Sequence, residues 1–271
     1  MKSNLMIRVL SAVTLLVFVV ALGYFLGIKG VAAFSVLVVL RGAFEYSRMT
    51  IRPLARSRAL QYSFLITTCI ALPIMLLKDG FEFPIWAGAM VVFFTQAIWL
   101  TRSSGSIYRT LRGLSLAGMG FAYCVVFPAL IIKMLLGAGG VLWFIALLGS
   151  VFAGDISAYF GGRLLGKHKL MPALSPKKTV EGAIAGLIGS MIFCLVINHY
   201  YLNNVPAYYM ALLGLLSSVC AQTGDLFESL IKRVAKVKDS GNIMPGHGGV
   251  LDRLDGVYFA SPIFYIFYVI F

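Results

Sequence analysis

What this chain lacks is charge. Only 12% of its 271 residues are Asp, Glu, Lys or Arg while 60% are apolar, whereas soluble domains carry about 25% and about 45–50% respectively. That excludes an ordinary water-soluble globule and points to a protein built for lipid. Cysteine is scarce too: Cys69, Cys124, Cys194 and Cys220 stand singly inside apolar runs with no CxxC pair. Neither a disulfide frame nor a zinc site is expected, and the four read as packing residues. There is no Pro/Ser linker, no low-complexity tract, no internal repeat and no GxxxxGK[ST] phosphate loop. A basic face interleaved with aromatics is also missing, so the net charge of +13 does not indicate nucleic acid.

What is present is a series of apolar runs, each near the roughly 20 residues that a spanning helix needs. Turn residues and charges divide them into spans near 9–27, 30–47, 59–77, 83–100, 114–136, 139–162, 182–202, 206–231 and 256–271. The expected fold is therefore all-α: a polytopic integral membrane protein of about nine transmembrane helices, with residues 1–271 forming one membrane domain. The run after Met1 is expected to be a retained first helix rather than a cleaved signal. Pro262 suggests a short or kinked last span.

The basic residues supply the orientation. Lys2 and Arg8, the cluster from Arg41 to Arg58, the group Arg102, Arg109 and Arg112, the stretch from Arg163 to Lys178, and the stretch from Lys232 to Arg253 alternate with loops that are nearly free of them. Together they hold 20 of the 23 Lys and Arg residues. By the positive-inside rule the amino terminus is cytoplasmic. No transit peptide is evident, and a bacterial inner membrane is the expected location. Acidic residues divide differently. Glu45, Asp79 and Glu82 precede residue 150, and the other seven of the ten follow it. Residues 1–150 thus read as hydrophobic spans without motifs, and residues 151–271 as the part that does chemistry.

Three constellations carry that chemistry. In the first, Asp225, Glu228, Ser229 and Lys232 share a helix face by their i+3 and i+4 spacing. A carboxylate in a spanning helix costs about 2.5–3.5 kcal/mol, and Asp155, Asp225 and Glu228 uncompensated would cost roughly 7–10 kcal/mol. Helix-end residues snorkelling to the interface would avoid that cost; a cation-lined polar cavity explains the grouping better. In the second, Lys238 and Asp239 lead into Pro245-Gly246-His247-Gly248-Gly249, a loop whose backbone can approach phosphate oxygens closely, followed by Asp252, Arg253 and Asp255. A helix starting at Leu251 would put Asp252 and Asp255 on one side of its first turn. Two acidic pairs flanked by Lys and Arg suit a metal-assisted nucleotidyl transfer: hard oxygen ligands for Mg²⁺, with room for a second cation, and ammonium or guanidinium groups for a polyphosphate. The third runs from Asp155 and Tyr159 to Ser175-Pro176-Lys177-Lys178-Thr179. Ser175 and Pro176 could serve as a helix N-cap and first helical residue, and the two lysines as lipid anchors or phosphate ligands. His168 reads as surface and His199 as unrelated to the site.

The segment Ser229 to Asp255 resembles the signature of the phosphatidate cytidylyltransferase (CDP-diacylglycerol synthase) family. It matches at Ser229, Lys232, Arg233, Lys238, Asp239, Pro245, Gly246, His247, Gly248, Gly249, Asp252, Arg253 and Asp255. Gln222 to Glu228, Ser175 to Thr179, and Asp155 with Ala158 and Tyr159 are similar as well. Ile156, Ser157 and Val180 depart from the pattern without touching a charged position. The resemblance implies a homodimeric helical membrane enzyme that joins CTP to phosphatidate. Asp225, Glu228, Asp252 and Asp255 would hold metal. Lys232, Arg233 and His247 would join Asp252 and Asp255 in catalysis. Asp155, Tyr159, Ser175, Lys177, Lys178, Thr179, Lys238, Gly248, Gly249 and Arg253 would bind substrate. A CTP-dependent polyprenol or phytol kinase and a CDP-archaeol synthase remain as enzymatic alternatives, and a membrane transporter as one of another class.

Overall fold

The computed structural model describes residues 2–77, 80–104, 106–203, 205–243 and 248–271. In hydrocarbon a chain must satisfy its peptide groups internally, and these apolar runs do so as helices. Ten are found: α1 (Lys2–Met49), α2 (Ile51–Leu54), α3 (Arg58–Leu77), α4 (Glu82–Ser104), α5 (Ile107–Phe121), α6 (Phe127–Leu136), α7 (Gly140–Leu165), α8 (Val180–Tyr201), α9 (Ala207–Ala235) and α10 (Leu251–Ile270). A π-helical turn at Ala122–Val126 joins α5 to α6, so that one long segment runs from Ile107 to Leu136. Between α7 and α8 lies a small antiparallel hairpin of β1 (Lys169–Met171) and β2 (Ser175–Thr179).

Seven helical segments among the described residues are long and apolar enough to cross a membrane. The difference from nine arises at the two ends. The first two expected spans run together as α1, which departs from helical geometry at Gly27 (φ 64°, ψ −165°). There the chain takes a positive φ that glycine adopts without steric cost. The last expected span, α10, carries Asp252, Arg253 and Asp255 in its opening turns, and that charge dilutes its apolar length.

The chain forms two compact units. One comprises Met1–Ile132 with Val234–Arg253, the other Lys133–Arg233 with Leu254–Phe271. The core of the first is a chain of aromatic rings. Tyr46 of α1 is fully buried, donates its hydroxyl to the Leu116 carbonyl at 2.8 Å, and packs near Phe64 and Tyr123. Phe64 stacks on Phe93, which meets Phe121 edge-on. Such ring pairs contribute about 0.5–1.5 kcal/mol beyond their buried area.

Small and hydroxyl-bearing residues hold the second unit together. Lipid removes the usual drive to bury apolar side chains, so close backbone approach and interhelical hydrogen bonds do the work. A Cβ on Gly161 of α7 would overlap Ala185 of α8, and one on Gly189 would overlap Ser157. Ser190 Oγ donates to the Ser150 carbonyl at 2.8 Å, and Ser150 Oγ lies 3.3 Å from Ser217 Oγ on α9. Gln222 Nε2 then ties α9 to the Ala183 carbonyl at 3.1 Å. The hydroxyl of Ser157, one of the departures from the family pattern, thus fills the α7–α8 seam.

Candidate active site

The geometry begins at the hairpin. Ser175 and Pro176 do not start a helix: they lie in β2, where Ser175 pairs with Met171 and Thr179 with Lys169. The helix start falls four residues later. Thr179 is extended (φ −124°, ψ 155°), and its buried Oγ1 accepts from Gly182 N at 3.2 Å, capping α8. Pro176 lacks an N–H and suits this two-stranded edge as well as a first helical turn. Glu181 clamps the base of the hairpin by accepting from the backbone N–H groups of Lys167 (3.0 Å) and His168 (3.2 Å), and its Oε1 lies 2.7 Å from His168 Nδ1. His168 is at the surface, as its lysine neighbours suggested, yet it is held in place.

The hairpin delivers Lys178 to α9, where its ammonium pairs with Asp225, while Lys177 projects outward, exposed. One turn further along α9, Glu228 is 1% exposed and takes a 2.5 Å bond from Lys232 Nζ. The i+4 spacing on one helix face thus brings Glu228 and Lys232 into a pair, the arrangement that belonged to the less favoured reading of helix-end residues. α10 comes close to α9 at Gly224, where a Cβ would lie 2.5 Å from the Asp255 carbonyl oxygen. Within this unit Asp155 of α7, Asp225 of α9 and Asp255 of α10 are near enough for their charges to act on one another, with Lys178 acting on Asp155 and Lys232 on Asp255. Four carboxylates, counting Glu228, share two ammonium groups. Fully ionised, the set keeps an excess of two negative charges.

The other unit holds a second acidic cluster. Asp252 Oδ2 accepts from Ser240 N (2.8 Å), Ser240 Oγ (2.9 Å) and Gly249 N (2.8 Å). Gly248 has φ +84°, and a Cβ there would stand 2.6 Å from Asp252 Oδ2. Both facts require glycine, for reasons independent of any ligand. Beside it, Glu45 of α1 accepts from Val250 N (2.8 Å) and Leu251 N (3.3 Å) and pairs with Arg41 at 3.1 Å.

The remaining expected residues are placed as follows. Tyr159 is exposed on α7, with Arg163 donating to its hydroxyl at 3.4 Å. Arg233 is exposed near the end of α9, Lys238 in the following loop, and Arg253 in the first turn of α10. His247, with Pro245 and Gly246, lies outside the described residues. Among the described residues no three His, Cys, Asp or Glu side chains are gathered closely enough to form a ready-made metal cage. Lysine ammonium groups hold Asp225 and Glu228 instead. The donor set still fits a hard divalent cation in its chemistry, because the oxygen ligands come from three helices and carry the charge excess such an ion would neutralise. Glu45 is the residue that sequence reasoning passed over. Its signal was present as an acid in a membrane helix beside basic residues, but nothing in the chain linked position 45 to positions 240–252.

A model of the cytidylyltransferase family matches residues 6–271. The chain belongs to that family. The chain is 36% identical over 276 residues to the phosphatidate cytidylyltransferase of Brucella abortus biovar 1, a match covering 99% of this chain and 95% of the relative. With the phosphatidate cytidylyltransferase of Bacillus subtilis it shares 44% identity over 121 residues, 45% of each chain. With that of Staphylococcus saprophyticus it shares 40% over 153 residues, 56% of this chain and 55% of the relative. The match thus extends through the amino-terminal spans, in which no motif was read, as well as through the charged segment, and it makes this chain an enzyme of the nucleotidyltransferase class.

Proposed function

We propose that this protein transfers the cytidylyl group of CTP to phosphatidate, giving CDP-diacylglycerol and pyrophosphate. It does so in a bacterial inner membrane, with the amino terminus and the charged ends of α7, α9 and α10 at the cytoplasmic face. Counting the two arms of α1 and the short α10 as crossings, the chain spans the bilayer nine times, and it works as a homodimer, as the family resemblance implies. The observation that carries the chemistry is the ion pair of the hairpin lysine Lys178 with Asp225 of α9, near enough to Asp155 of α7 and Asp255 of α10 for their charges to interact.

In the reaction, a phosphate oxygen of phosphatidate attacks the α-phosphorus of CTP. A new P–O bond forms, the bond to the bridging oxygen of the β-phosphate breaks, and that oxygen leaves on pyrophosphate. The attacking oxygen is already anionic near neutral pH, so no strong general base is needed and charge control is the main task. Lys178 and Lys232, held by Asp225 and Glu228, are cations that phosphate oxygens can recruit. Lys177, Arg233, Lys238 and Arg253, all exposed, supply further positive charge for the triphosphate or the lipid phosphate. Tyr159, Ser175, Thr179 and the Gly248-Gly249 backbone serve substrate binding, and His247 the closing of its loop. Asp225, Glu228 and Asp255 in one unit, and Asp252 in the other, are the residues proposed as Mg²⁺ ligands, and the ion when bound would supply neutralisation of the triphosphate and of the departing pyrophosphate.

The test is an assay of the purified protein in detergent with Mg²⁺, phosphatidate and CTP labelled at the α- or the γ-phosphate. Lipid labelled from the α-position supports this reading. Labelling only from the γ-position, with an isoprenoid alcohol as acceptor, would make it a lipid kinase, and preference for an archaeol phosphate would move the substrate alone. No CTP consumption with any lipid would favour a transporter.

A further inference from the structure

Glu45 is buried, with 2% of its side chain exposed, and lies more than 190 residues before everything it touches except Arg41. A carboxylate in such a place costs several kcal/mol unless charge and hydrogen bonds compensate it. Here both oxygens are used. Oε1 faces Arg41 Nε at 3.1 Å, and Oε2 accepts from Val250 N at 2.8 Å and Leu251 N at 3.3 Å, where α10 begins. Ser240 Oγ stands 3.3 Å from Glu45 Oε2 and 2.9 Å from Asp252 Oδ2. Its single proton serves one carboxylate at a time, and the shorter contact favours Asp252. The backbone folds tightly round the Glu45 carboxylate: a Cβ at Gly241 or Gly249 would come within 2.4 Å of one of its oxygens. The helix that carries Glu45 is itself fixed at the next residue by the fully buried Tyr46.

We infer that Glu45 is a positioning residue for Asp252. It pins the backbone on both sides of the glycine loop, Ser240-Gly241 before it and Gly249 to Leu251 after it, and thereby fixes the two backbone N–H groups and the hydroxyl that orient the Asp252 carboxylate. Its own carboxylate touches no substrate. The inference deepens the proposed reaction and rests on Asp252 taking part in it. Charge matters as well as shape. An amide in place of Glu45 can turn its oxygen to the Val250 N–H or to Arg41, but whichever it chooses leaves its NH₂ facing donors on the other side.

Two readouts on the full-length protein in detergent test this. In Glu45→Gln, kcat for cytidylyl transfer should fall roughly tenfold or more while KM for CTP stays within about twofold, the pattern of a misaligned reacting group rather than a lost binding contact. Amide hydrogen exchange at Val250 and Leu251 should quicken by about tenfold, with α3 and α7 unaffected, because the acceptor that protects those two N–H groups has weakened. Ser240→Ala should lower kcat by a smaller factor. The double variant should lose no more than Glu45→Gln alone, since both changes act through one linkage.

Wild-type kcat in Glu45→Gln with unchanged exchange at the two amides would overturn the inference, as would losses that multiply in the double variant. Should Glu45→Gln fail to fold, Ser240→Ala decides alone, and wild-type turnover there counts against the linkage. The wild-type enzyme in the same assay reports on the reaction separately. If it transfers no cytidylyl group the reaction is wrong, and the exchange of Val250 and Leu251 still shows whether Glu45 holds the loop.

Discussion

The two acidic clusters are built on opposite principles. Around Glu45 and Asp252 the carboxylates accept mainly from neutral donors among the described residues, backbone N–H groups and the Ser240 hydroxyl, with Arg41 paired to Glu45. Around Asp225 and Glu228 the partners are ammonium groups on lysine stems, while Asp255 beside them accepts from Gly256 N at 2.8 Å. A backbone N–H has nowhere else to go, so the first cluster is a fixture. Lysine ammonium groups can exchange a carboxylate for a phosphate oxygen by turning a side chain, so the second is ready to accept a polyanion. One cluster sets where a carboxylate stands, and the other sets how much charge is available.

The comparison can be broken most severely at the charged cluster. Asp225→Asn should reduce CDP-diacylglycerol formation by at least about 100-fold, the scale of losing an electrostatic group at a reacting centre, with the thermal midpoint in detergent unchanged. Near-normal turnover would remove Asp225 from the chemistry. Asp252→Asn tests the other cluster in the same way. It should abolish transfer while expression is retained, and a nearly active variant would confine Asp252 to holding its loop. Lys178→Met should follow with a loss of about 10–100-fold in kcat/KM, since it removes one cation meant for phosphate. A change in stability without a change in kcat/KM would make the Lys178–Asp225 pair structural.

Smaller effects test the fixtures. Gly248→Ala should destabilise by about 1–3 kcal/mol, from a positive φ that alanine resists and from the close approach to Asp252; a thermal midpoint equal to that of the parent would show that the loop relaxes freely. Thr179→Ala should cost about 1 kcal/mol through loss of the α8 cap, also read by thermal unfolding. An unchanged midpoint would mean that Gly182 N finds another acceptor.

Much of this was legible in the chain because it depends on local spacing or on solvent. Apolar length predicted α3, α4, α7, α8 and α9 to within about four residues at each end, since lipid leaves a helix as the only way to satisfy the backbone. That Glu228 and Lys232 share a helix face followed from helical spacing. The last span was read as 256–271, whereas α10 starts at Leu251 and takes Asp252 and Asp255 into its opening turns. The Ser175-Pro176 segment misled because a Ser-Pro pair suits both a helix start and a strand. Only pairing with Lys169 to Met171 decided between them, and that depends on where α7 ends.

By itself, then, the sequence determined a helical membrane enzyme, its family, and where its charged segment lies, since composition, periodicity and motif spacing are properties of neighbours along a chain. The tertiary structure decided which acid meets which base. It brought Lys178 to Asp225, set Asp155 and Asp255 within reach of that pair, and carried Glu45 to the loop before α10. Those pairings join residues 30 to 205 positions apart, and the packing of helices, not any local preference, brings such residues into contact.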